Sequence, residues 1–579
     1  MEHWVAVTST RTVGDPGRSR WRWAALSQRT RTTCEWIVLS GALLAPLVGL
    51  LRYQGPPMEE GFMLVFPEQV MNGRVPHVDF LHLYGPGSLW VLAGIYRIFG
   101  VALSVERTVG FLQHVAVVAG IWMILRPWGR RVSVAGGLVA VVLIMTPLGL
   151  SALAWNGALG LALCGLALGR LAAQRLAASE TAHVTRLLVA SGALAGAALL
   201  YRPDLLIAVA AAFGTMTVTM VPRGRRRLVL GSAVAMTSLY AVHLAISGIG
   251  PSFRGMFIEP VFDLRAGRSL PIPPSWNQVD GFLQRAGALR TIGWPVPMPA
   301  LAHQITLWFW LVPISAVGTA AIAWWPRRGG FVADRLDTVA RHRVQTLRMA
   351  SLFGLALQTQ AFQRPDTAHL SWVTVVTFPL SIAALAQLLS ERLAPQPAVR
   401  SSWMAIAPIA VVLVAVIPFY PLRTYVDLVG QSIGLNRFGS PIRRGDRVFY
   451  YGDRDAARAA QAVTDRLGRE MRPGPRLIVG PRPLNRTPYS DAFLYYLFPE
   501  LVPGTRYIEM DPGIADAPGS GLAEELERSD WLIQSTTWSA WSEPNDSRLE
   551  GSARPDQVVD SRYCLELDAG AFRLLRRCR

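Results

Sequence analysis

Residues 58–100 read MEEGFMLVFPEQVMNGRVPHVDFLHLYGPGSLWVLAGIYRIFG, and this stretch decides how the rest of the chain is interpreted. It follows an apolar run at 35–51 that is long enough to cross a bilayer, and it opens with two adjacent carboxylates, Glu59 and Glu60. Loops as long as 52–106 are uncommon between apolar segments unless they are functional. The acidic pair is therefore a candidate functional feature at the surface of a membrane.

Composition supports a membrane protein. The chain has 579 residues, of which 51% are hydrophobic and 17% charged, with a mean hydropathy of +0.29. Soluble proteins carry about 25% charged residues. The formal charge is +18, and every basic side chain is arginine. Because the arginines cluster between apolar runs, we interpret the segments that carry them as cytoplasmic loops. No nucleic-acid-binding motif accompanies them, so we expect no nucleic-acid partner.

The apolar runs predict a polytopic α-helical protein with about eleven transmembrane helices. The expected spans are 35–51, 107–125, 132–150, 152–170, 187–201, 203–221, 228–247, 303–325, 344–361, 371–390 and 403–420. The segment 86–99 is short, contains Arg97 and begins with Pro86-Gly87. Counting it as a span would move Arg-rich loops outside, so we interpret it as a helix lying at the interface.

This topology divides the chain into three parts. Residues 1–34 form a cytoplasmic extension, 35–420 the transmembrane domain with its first outer loop at 52–106, and 421–579 an extracytoplasmic domain. In that domain DRVFYYG and PRLIVG are strand-like and flank a segment with helical period, which predicts a small α/β fold. Cys564 and Cys578 are able to pair if this domain lies outside.

Further polar residues are expected on the same outer side. The loop 52–106 contributes His77, Asp79 and Tyr84. Two distant turns each read Arg-Pro-Asp, and the second is followed by a histidine; these residues are Arg202, Asp204, Arg364, Asp366 and His369. Each turn alone also suits an ordinary helix terminus. Together with the acidic pair, however, their guanidinium groups match a lipid phosphate, and a carboxylate is able to deprotonate a sugar hydroxyl.

At this point the sequence resembles a known family. The stretch 58–100 is similar to the first outer loop of GT-C glycosyltransferases, in the bacterial branch related to protein O-mannosyltransferases and aminoarabinose transferases. The matching pieces are Glu59-Glu60-Gly61, Gly73 through Pro76, Asp79-Phe80, Tyr84-Gly85-Pro86 and Phe99-Gly100. Arg364, Asp366 and His369 resemble a later outer turn of these enzymes, and the interfacial helix is also a family feature.

The resemblance implies transfer of a sugar, with inversion, from a polyprenyl-phosphate donor to an extracytoplasmic glycan, lipid or protein, in the bacterial cytoplasmic membrane. Glu59 or Glu60 would be the general base, and we expect Glu59 to be the base and Glu60 to support it by holding the acceptor or a metal. Arg202 and Arg364 would bind the donor phosphate, and His77, Asp79 and His369 would orient the sugar or acceptor, with Tyr84, Asp204 and Asp366 beside them. A divalent metal at the carboxylates is compatible with the family, but these residues do not require one.

The sequence departs from the family in two places. Glu59 stands where the family usually has aspartate, and Leu83-Tyr84-Gly85-Pro86 lacks the lysine of the aminoarabinose branch, so a lipid A role is not expected. The alternatives are a polytopic polysaccharide polymerase or ligase, a transporter, and a non-catalytic membrane scaffold. A transporter would show internal repeats, broken helices and ionisable groups at mid-span.

Overall fold

In the computed structural model, helices form most of the described residues up to Ser432. The structure describes residues 28–177, 183–218, 220–281, 293–325, 338–392, 398–470 and 473–578. Most of the expected N-terminal extension (1–27) lies outside the described residues, as do 326–337 and 393–397 of the Arg-rich loops.

The helices follow the order of the predicted spans. They are α1 (Gln28–Leu44), α2 (Leu47–Leu51), α3 (Glu59–Met71), α4 (Gly87–Phe99), α5 (Leu103–Leu125), α6 (Arg130–Met145), α7 (Ala154–Ala177), α8 (Val184–Tyr201), α9 (Leu206–Val218), α10 (Pro222–Ser247), α11 (Ile249–Phe253), α12 (Arg265–Arg268), α13 (Leu301–Trp324), α14 (Thr338–Ala356), α15 (Gln358–Gln363), α16 (Thr367–Arg392), α17 (Ala398–Val411) and α18 (Thr424–Ser432). Wider π-helical turns occur at Arg254–Asp263, Val412–Val416 and Phe419–Arg423.

Among the described residues, seven helices are long and apolar enough to cross a membrane, which makes the chain a multi-pass membrane protein. An eighth span is formed if Arg400–Val416 and Phe419–Ser432, which meet at 75°, are counted together. The other three predicted spans fall on α6, α9 and α14, which do not meet the same criteria. The count of eleven therefore stays a prediction.

Close helix packing depends on small residues in the spans. α8 and α10 approach so tightly that a Cβ on Gly192 would lie 1.9 Å from the carbonyl oxygen of Leu228. Helices in a membrane gain little from the hydrophobic effect and associate by close contact of this kind.

The short helix predicted at 86–99 is α4. Its buried face includes Leu89, Leu92 and Tyr96, and the Tyr96 hydroxyl donates to the carbonyl oxygen of Met63 at 3.2 Å. Ile98 and Phe99 at its end are 75% and 69% exposed. One buried face with exposed apolar residues beside it suits a helix lying at an interface.

The C-terminal domain contains two sheets. Strands β1 (Ser440–Arg444) and β2 (Arg447–Tyr451) form an antiparallel pair. A five-stranded sheet has the order β4-β3-β5-β7-β6, with β3 (Arg476–Pro481), β4 (Val502–Pro503), β5 (Trp531–Ser535), β6 (Tyr563–Asp568) and β7 (Phe572–Arg577). β3 pairs in parallel with β4 and β5, whereas β7 is antiparallel to β5 and β6.

The predicted strand–helix–strand order is present, but its two strands belong to different sheets. Between β2 and β3 lies α19 (Arg454–Arg469), which begins where the Asp453 carboxylate accepts hydrogen bonds from two backbone amides. Its alanine-rich face packs against the domain core. The domain also includes α20 (Phe493–Leu497), α21 (Leu522–Glu527) and α22 (Arg554–Arg562). Cys564 and Cys578 form a disulfide, which is the pairing expected if this domain lies outside.

Candidate active site

A cavity lies where the helical bundle meets the C-terminal domain. It contains about 620 Å³ of empty space, part of it open to solvent. Four regions supply its walls: the loop and helix around Glu59, the ends of the long helices, the loop 248–302, and the C-terminal domain. The lining residues include Glu59, Tyr84, Trp155, Arg202, Arg268, Arg364, His369, Trp372, Tyr489, Glu509 and Trp541.

Glu59 is the first residue of α3, and its side chain faces this cavity. The carboxylate makes no ion pair with any described residue. Burial raises the pKa of Glu59 to about 7, against the opposing effect of the Arg268 and Arg364 charges. A carboxyl group with a pKa near neutrality is able to accept a proton under working conditions.

Glu60 points away from the cavity. Its two oxygens accept hydrogen bonds from the Nε and Nη2 groups of Arg107, each at 2.7 Å, and both side chains are buried. The same guanidinium donates to the carbonyl oxygens of Leu50, Leu51 and Tyr53. Glu60 was expected to contact the acceptor or a metal. This placement instead favours a role in fixing the end of the first span to α5.

Gly61 completes the Glu-Glu-Gly motif for a steric reason. A Cβ at this position would lie 2.4 Å from the amide nitrogen of Phe493, in the C-terminal domain. The domain is therefore held directly against the start of α3, beside Glu59. Arg447 strengthens this contact through a bidentate ion pair with Glu68 of α3, at 2.9 and 2.6 Å.

The first Arg-Pro-Asp turn lies in the cavity wall. Arg202 forms a bidentate ion pair with Asp204, at 2.8 and 2.6 Å, and Asp204 also accepts a hydrogen bond from Gln360. The guanidinium carbon lies 4.4 Å from the ring centroid of Tyr84 and 4.9 Å from that of Trp155. The Nη1 group makes no hydrogen bond with a described residue, so the guanidinium retains donors for a ligand.

The second Arg-Pro-Asp turn lines the same cavity, but more of its arginine's hydrogen-bond donors are used by protein groups. Each nitrogen of Arg364 donates to the protein, to Asp366, to Glu543 and to the carbonyl oxygen of Arg268. Asp366 accepts hydrogen bonds from the backbone and Nδ1 of His369, both at 2.9 Å. Although burial opposes ionisation, the interactions with His369 and Arg364 hold the pKa of Asp366 well below its usual range.

Arg268, at the end of α12, was not singled out in the sequence. Its one hydrogen bond to a described side chain is a long one, 3.4 Å from Nη1 to Asp511. It lines the cavity and belongs to the loop 248–302, which the topology places on the same side as both Arg-Pro-Asp turns. The reasoning applied to those turns would have found it had it been extended to this loop.

The C-terminal domain supplies three further lining residues that the sequence did not reveal: Tyr489, Glu509 and Trp541. Trp541 is 3% exposed and packs against Tyr489, with 4.9 Å between the ring centroids. Glu509 makes no hydrogen bond with a described residue. Burial, followed by the nearby Asp511, raises the pKa of Glu509 well above its ordinary value.

His77 and Asp79 lie outside the lining. The Nε2 group of His77 lies 3.0 Å from the carbonyl oxygen of Tyr84, so this nitrogen carries the proton and donates it. Its Nδ1 then accepts from Nε2 of His243, at 3.0 Å. Burial and the neighbouring His243 lower the pKa of His77 to about 4, which agrees with a neutral ring. Asp79 accepts a hydrogen bond from the backbone of Val75 at 2.6 Å. Both residues therefore shape the loop that carries Tyr84.

The part of the chain that the structure describes contains no group of three or more histidine, cysteine, aspartate or glutamate side chains arranged to hold a metal ion. Glu59 and Glu509 are the two unpaired carboxyl groups of the cavity.

Comparison with solved structures identifies the fold. ArnT from Cupriavidus metallidurans, solved bound to undecaprenyl phosphate, has 15% sequence identity and a TM-score of 0.50, with 94% of this chain and 98% of that chain covered. Its apo form gives 16% identity, a TM-score of 0.49 and the same coverage. The archaeal oligosaccharyltransferase AglB from Archaeoglobus fulgidus, in complex with an inhibitory peptide and a dolichol-phosphate, gives 12% identity and a TM-score of 0.45 over 94% of this chain and 74% of that chain.

No family model and no curated protein matches the sequence. The likeness to ArnT nevertheless extends over nearly the whole of both chains, membrane helices and C-terminal domain together. The chain therefore has the fold of the GT-C membrane glycosyltransferases, as the resemblance of residues 58–100 implied.

Proposed function

We propose that this protein transfers a sugar from a polyprenyl-phosphate donor to a hydroxyl-bearing acceptor at the membrane surface. The observation that carries the proposal is the meeting of an unpaired carboxyl group, Glu59, with three arginines in one cavity between the bundle and the C-terminal domain. The solved structures with this fold include ArnT with undecaprenyl phosphate bound.

The chemistry is a single in-line displacement. The acceptor oxygen forms a bond to the anomeric carbon of the sugar while the bond from that carbon to the phosphate oxygen breaks. The acceptor proton passes to the carboxylate of Glu59, and the electron pair leaves with the polyprenyl phosphate. One displacement inverts the anomeric centre, and a phosphate held by guanidinium groups is able to leave without a general acid.

The arginines differ in how they serve this reaction. Arg364 donates from all three of its nitrogens to the protein, so we assign it to holding the loop of Arg268 and the segment of Glu543. Arg202 and Arg268 keep donors that make no hydrogen bond with a described residue, and we assign both to the donor phosphate. The sequence had suggested Arg202 and Arg364 for this contact.

The remaining lining residues suit a sugar. Tyr84, Trp155, Trp372 and Trp541 present aromatic faces, and the carboxyl group of Glu509 is able to accept hydrogen bonds from sugar hydroxyls. His369, held by Asp366, contributes a further ring at the same wall.

The test is a transfer assay on membranes that contain the protein. Radiolabelled polyprenyl-phosphate hexoses and pentoses would be supplied in turn, and the label would be followed into lipid, glycan and protein fractions. We expect label to move with the wild-type protein and not with Glu59→Gln. Equal transfer by membranes with and without the protein, for every donor, would contradict the proposal.

A further inference from the structure

A second cavity lies at the opposite end of the helical bundle. It has about 1020 Å³ of empty space and is lined by the second half of α7 and by residues of α9, α13 and α14. Along α7, a rise of about 1.5 Å per residue places Arg170 of this cavity about 24 Å from Ala154 of the first cavity. The hydrocarbon core of a bilayer is about 30 Å thick. The two cavities therefore lie near opposite membrane surfaces.

The lining is basic, and the described residues that form it include no carboxylate. Its ionisable side chains are Arg170, His342 and Arg348. Arg170 donates to the side chain of Gln174 at 3.1 Å and to the carbonyl oxygen of Met123 at 3.4 Å, while its Nε is buried without a hydrogen-bond partner. None of these contacts neutralises the charge.

Arg348 likewise has no acidic partner among the described residues. Its Nε donates to the carbonyl oxygen of Ala323 at 3.1 Å, and its guanidinium lies over the ring of Trp324, 5.0 Å from the centroid. Its two terminal nitrogens make no hydrogen bond with a described residue. Ala323 and Met123 both belong to the last turns of their helices, so the two guanidinium groups lie level with the helix ends.

The rest of the cavity is apolar. Ala173, Met216, Val218 and Met349 line it, and the side chain of Val218 is 75% exposed on the outside of the bundle. Trp324 is 47% exposed, and tryptophan is typical of the level at which lipid headgroups begin. The site therefore joins a basic end to an apolar surface that reaches the membrane.

Arg170 and Arg348 are both partly buried, and neither pairs with a carboxylate of the described residues, so their guanidinium groups keep charge and donors available for an anion. We propose that this cavity binds the phosphate group of an anionic phospholipid, with Arg170 and Arg348 contacting the phosphate and an acyl chain against Met216 and Val218. Guanidinium groups match phosphate oxygens bidentately, and basic pockets between membrane helices are known to hold such headgroups. The inference does not rest on the proposed function.

The test uses the full-length protein in neutral detergent, freed of lipid, and measures binding by native mass spectrometry. Phosphatidylglycerol, phosphatidylcholine, undecaprenyl phosphate and inorganic phosphate are supplied separately. We expect phosphatidylglycerol to bind most tightly, and its affinity to fall at least about tenfold in Arg170→Gln/Arg348→Gln. The matched control is Arg131→Gln/Arg226→Gln, which removes two exposed arginines at the same end of the bundle and should bind normally.

Several results would overturn the proposal. An equal loss in the control variant would mean that diffuse surface charge attracts the lipid. If undecaprenyl phosphate or inorganic phosphate binds more tightly than phosphatidylglycerol, and this binding depends on the two arginines, the ligand of the site is not a phospholipid. Because the double variant risks misfolding, a phosphatidylglycerol with a photoreactive acyl chain is also applied to the wild-type protein. Labelling of peptides from α7, α9, α13 and α14 supports the site, and labelling confined to other helices rejects it.

Discussion

Glu60 and Arg107 form a bidentate ion pair, 2.7 Å at both contacts, in which the two side chains are 1% and 2% exposed. The preceding residue, Glu59, faces the cavity without an ion-pair partner. Two adjacent carboxylates of one motif therefore have different environments. Glu60 is bound into the protein, which leaves Glu59 free for a ligand.

Breaking this ion pair should destabilise the protein. In Glu60→Gln the charge of Arg107 stays buried without the negative charge that balances it, and removing one partner of a buried ion pair costs about 3–5 kcal/mol. We expect a clear fall in the unfolding temperature, measured in detergent by tryptophan fluorescence. Glu60→Gln/Arg107→Gln should recover part of that loss because no charge is left unpaired. Stability equal to that of the wild type in Glu60→Gln would show that the pair is unimportant.

Glu59→Gln should lower turnover without lowering stability, in contrast to Glu60→Gln. The carboxylate makes no ion pair and burial disfavours its charged form, so the unfolding temperature should not fall. Turnover should fall at least about 10²-fold because the acceptor hydroxyl loses its base. Donor binding, measured separately, should survive since the phosphate is assigned to arginines. Near-normal transfer by this variant would remove Glu59 from the mechanism.

The pH dependence of transfer follows from the pKa of Glu59, which is raised to about 7. Below this value the carboxyl group is protonated and unable to accept a proton, so kcat/KM should rise with pH and level off above about 8. The donor is a phosphodiester and does not titrate in this range. Initial rates from pH 5.5 to 9 would check the prediction, and a flat profile would exclude a base with this pKa.

Much of the fold was predictable because the bilayer constrains it. A span must be apolar for about 20 residues, so most helix positions follow from hydropathy alone. The distribution of arginines separated the short helix α4 from the spans, and its position at the interface stays a prediction. The membership of β2 and β3 in separate sheets was not predictable, because strand pairing depends on contacts between distant parts of the chain.

The site was only partly predictable for a similar reason. Arg202, Arg364, His369 and Tyr84 follow from the argument that polar groups collect on one side of the membrane. Glu60 differs from Glu59 because it pairs with Arg107. The sequence places Arg107 at the start of an apolar span and does not indicate which carboxylate it contacts. Glu509 is placed by the folding of a domain whose local sequence carries no catalytic motif.

Orientation of the chain is a separate prediction. The Arg-rich loops should face the cytoplasm and the C-terminal domain the opposite side, because arginine concentrates in cytoplasmic loops. A single cysteine introduced at exposed Asp453, in a chain whose Cys34 and Cys164 are replaced by serine, should react with a membrane-impermeant maleimide added to intact cells. Labelling only after the membrane is opened would show that the C-terminal domain lies in the cytoplasm, against this prediction.

Arg268 and Arg364 provide the sharpest test of how the donor is held. Arg268 has one long hydrogen bond to Asp511, whereas Arg364 is tied to Asp366, Glu543 and the backbone of Arg268. Arg268→Gln should therefore weaken donor binding by about tenfold or more while the unfolding temperature changes little.

Arg364→Gln should lower the unfolding temperature as well as donor binding, since it leaves the buried carboxylate of Glu543 without its guanidinium partner. Donor affinity is measured by competition with labelled undecaprenyl phosphate, and stability by thermal unfolding of the same samples. Arg268→Lys is the matched control, because it keeps the charge and loses the forked geometry, and its affinity should lie between those of the wild type and Arg268→Gln. If Arg268→Gln binds the donor normally and Arg364→Gln loses binding without losing stability, the two assignments must be exchanged.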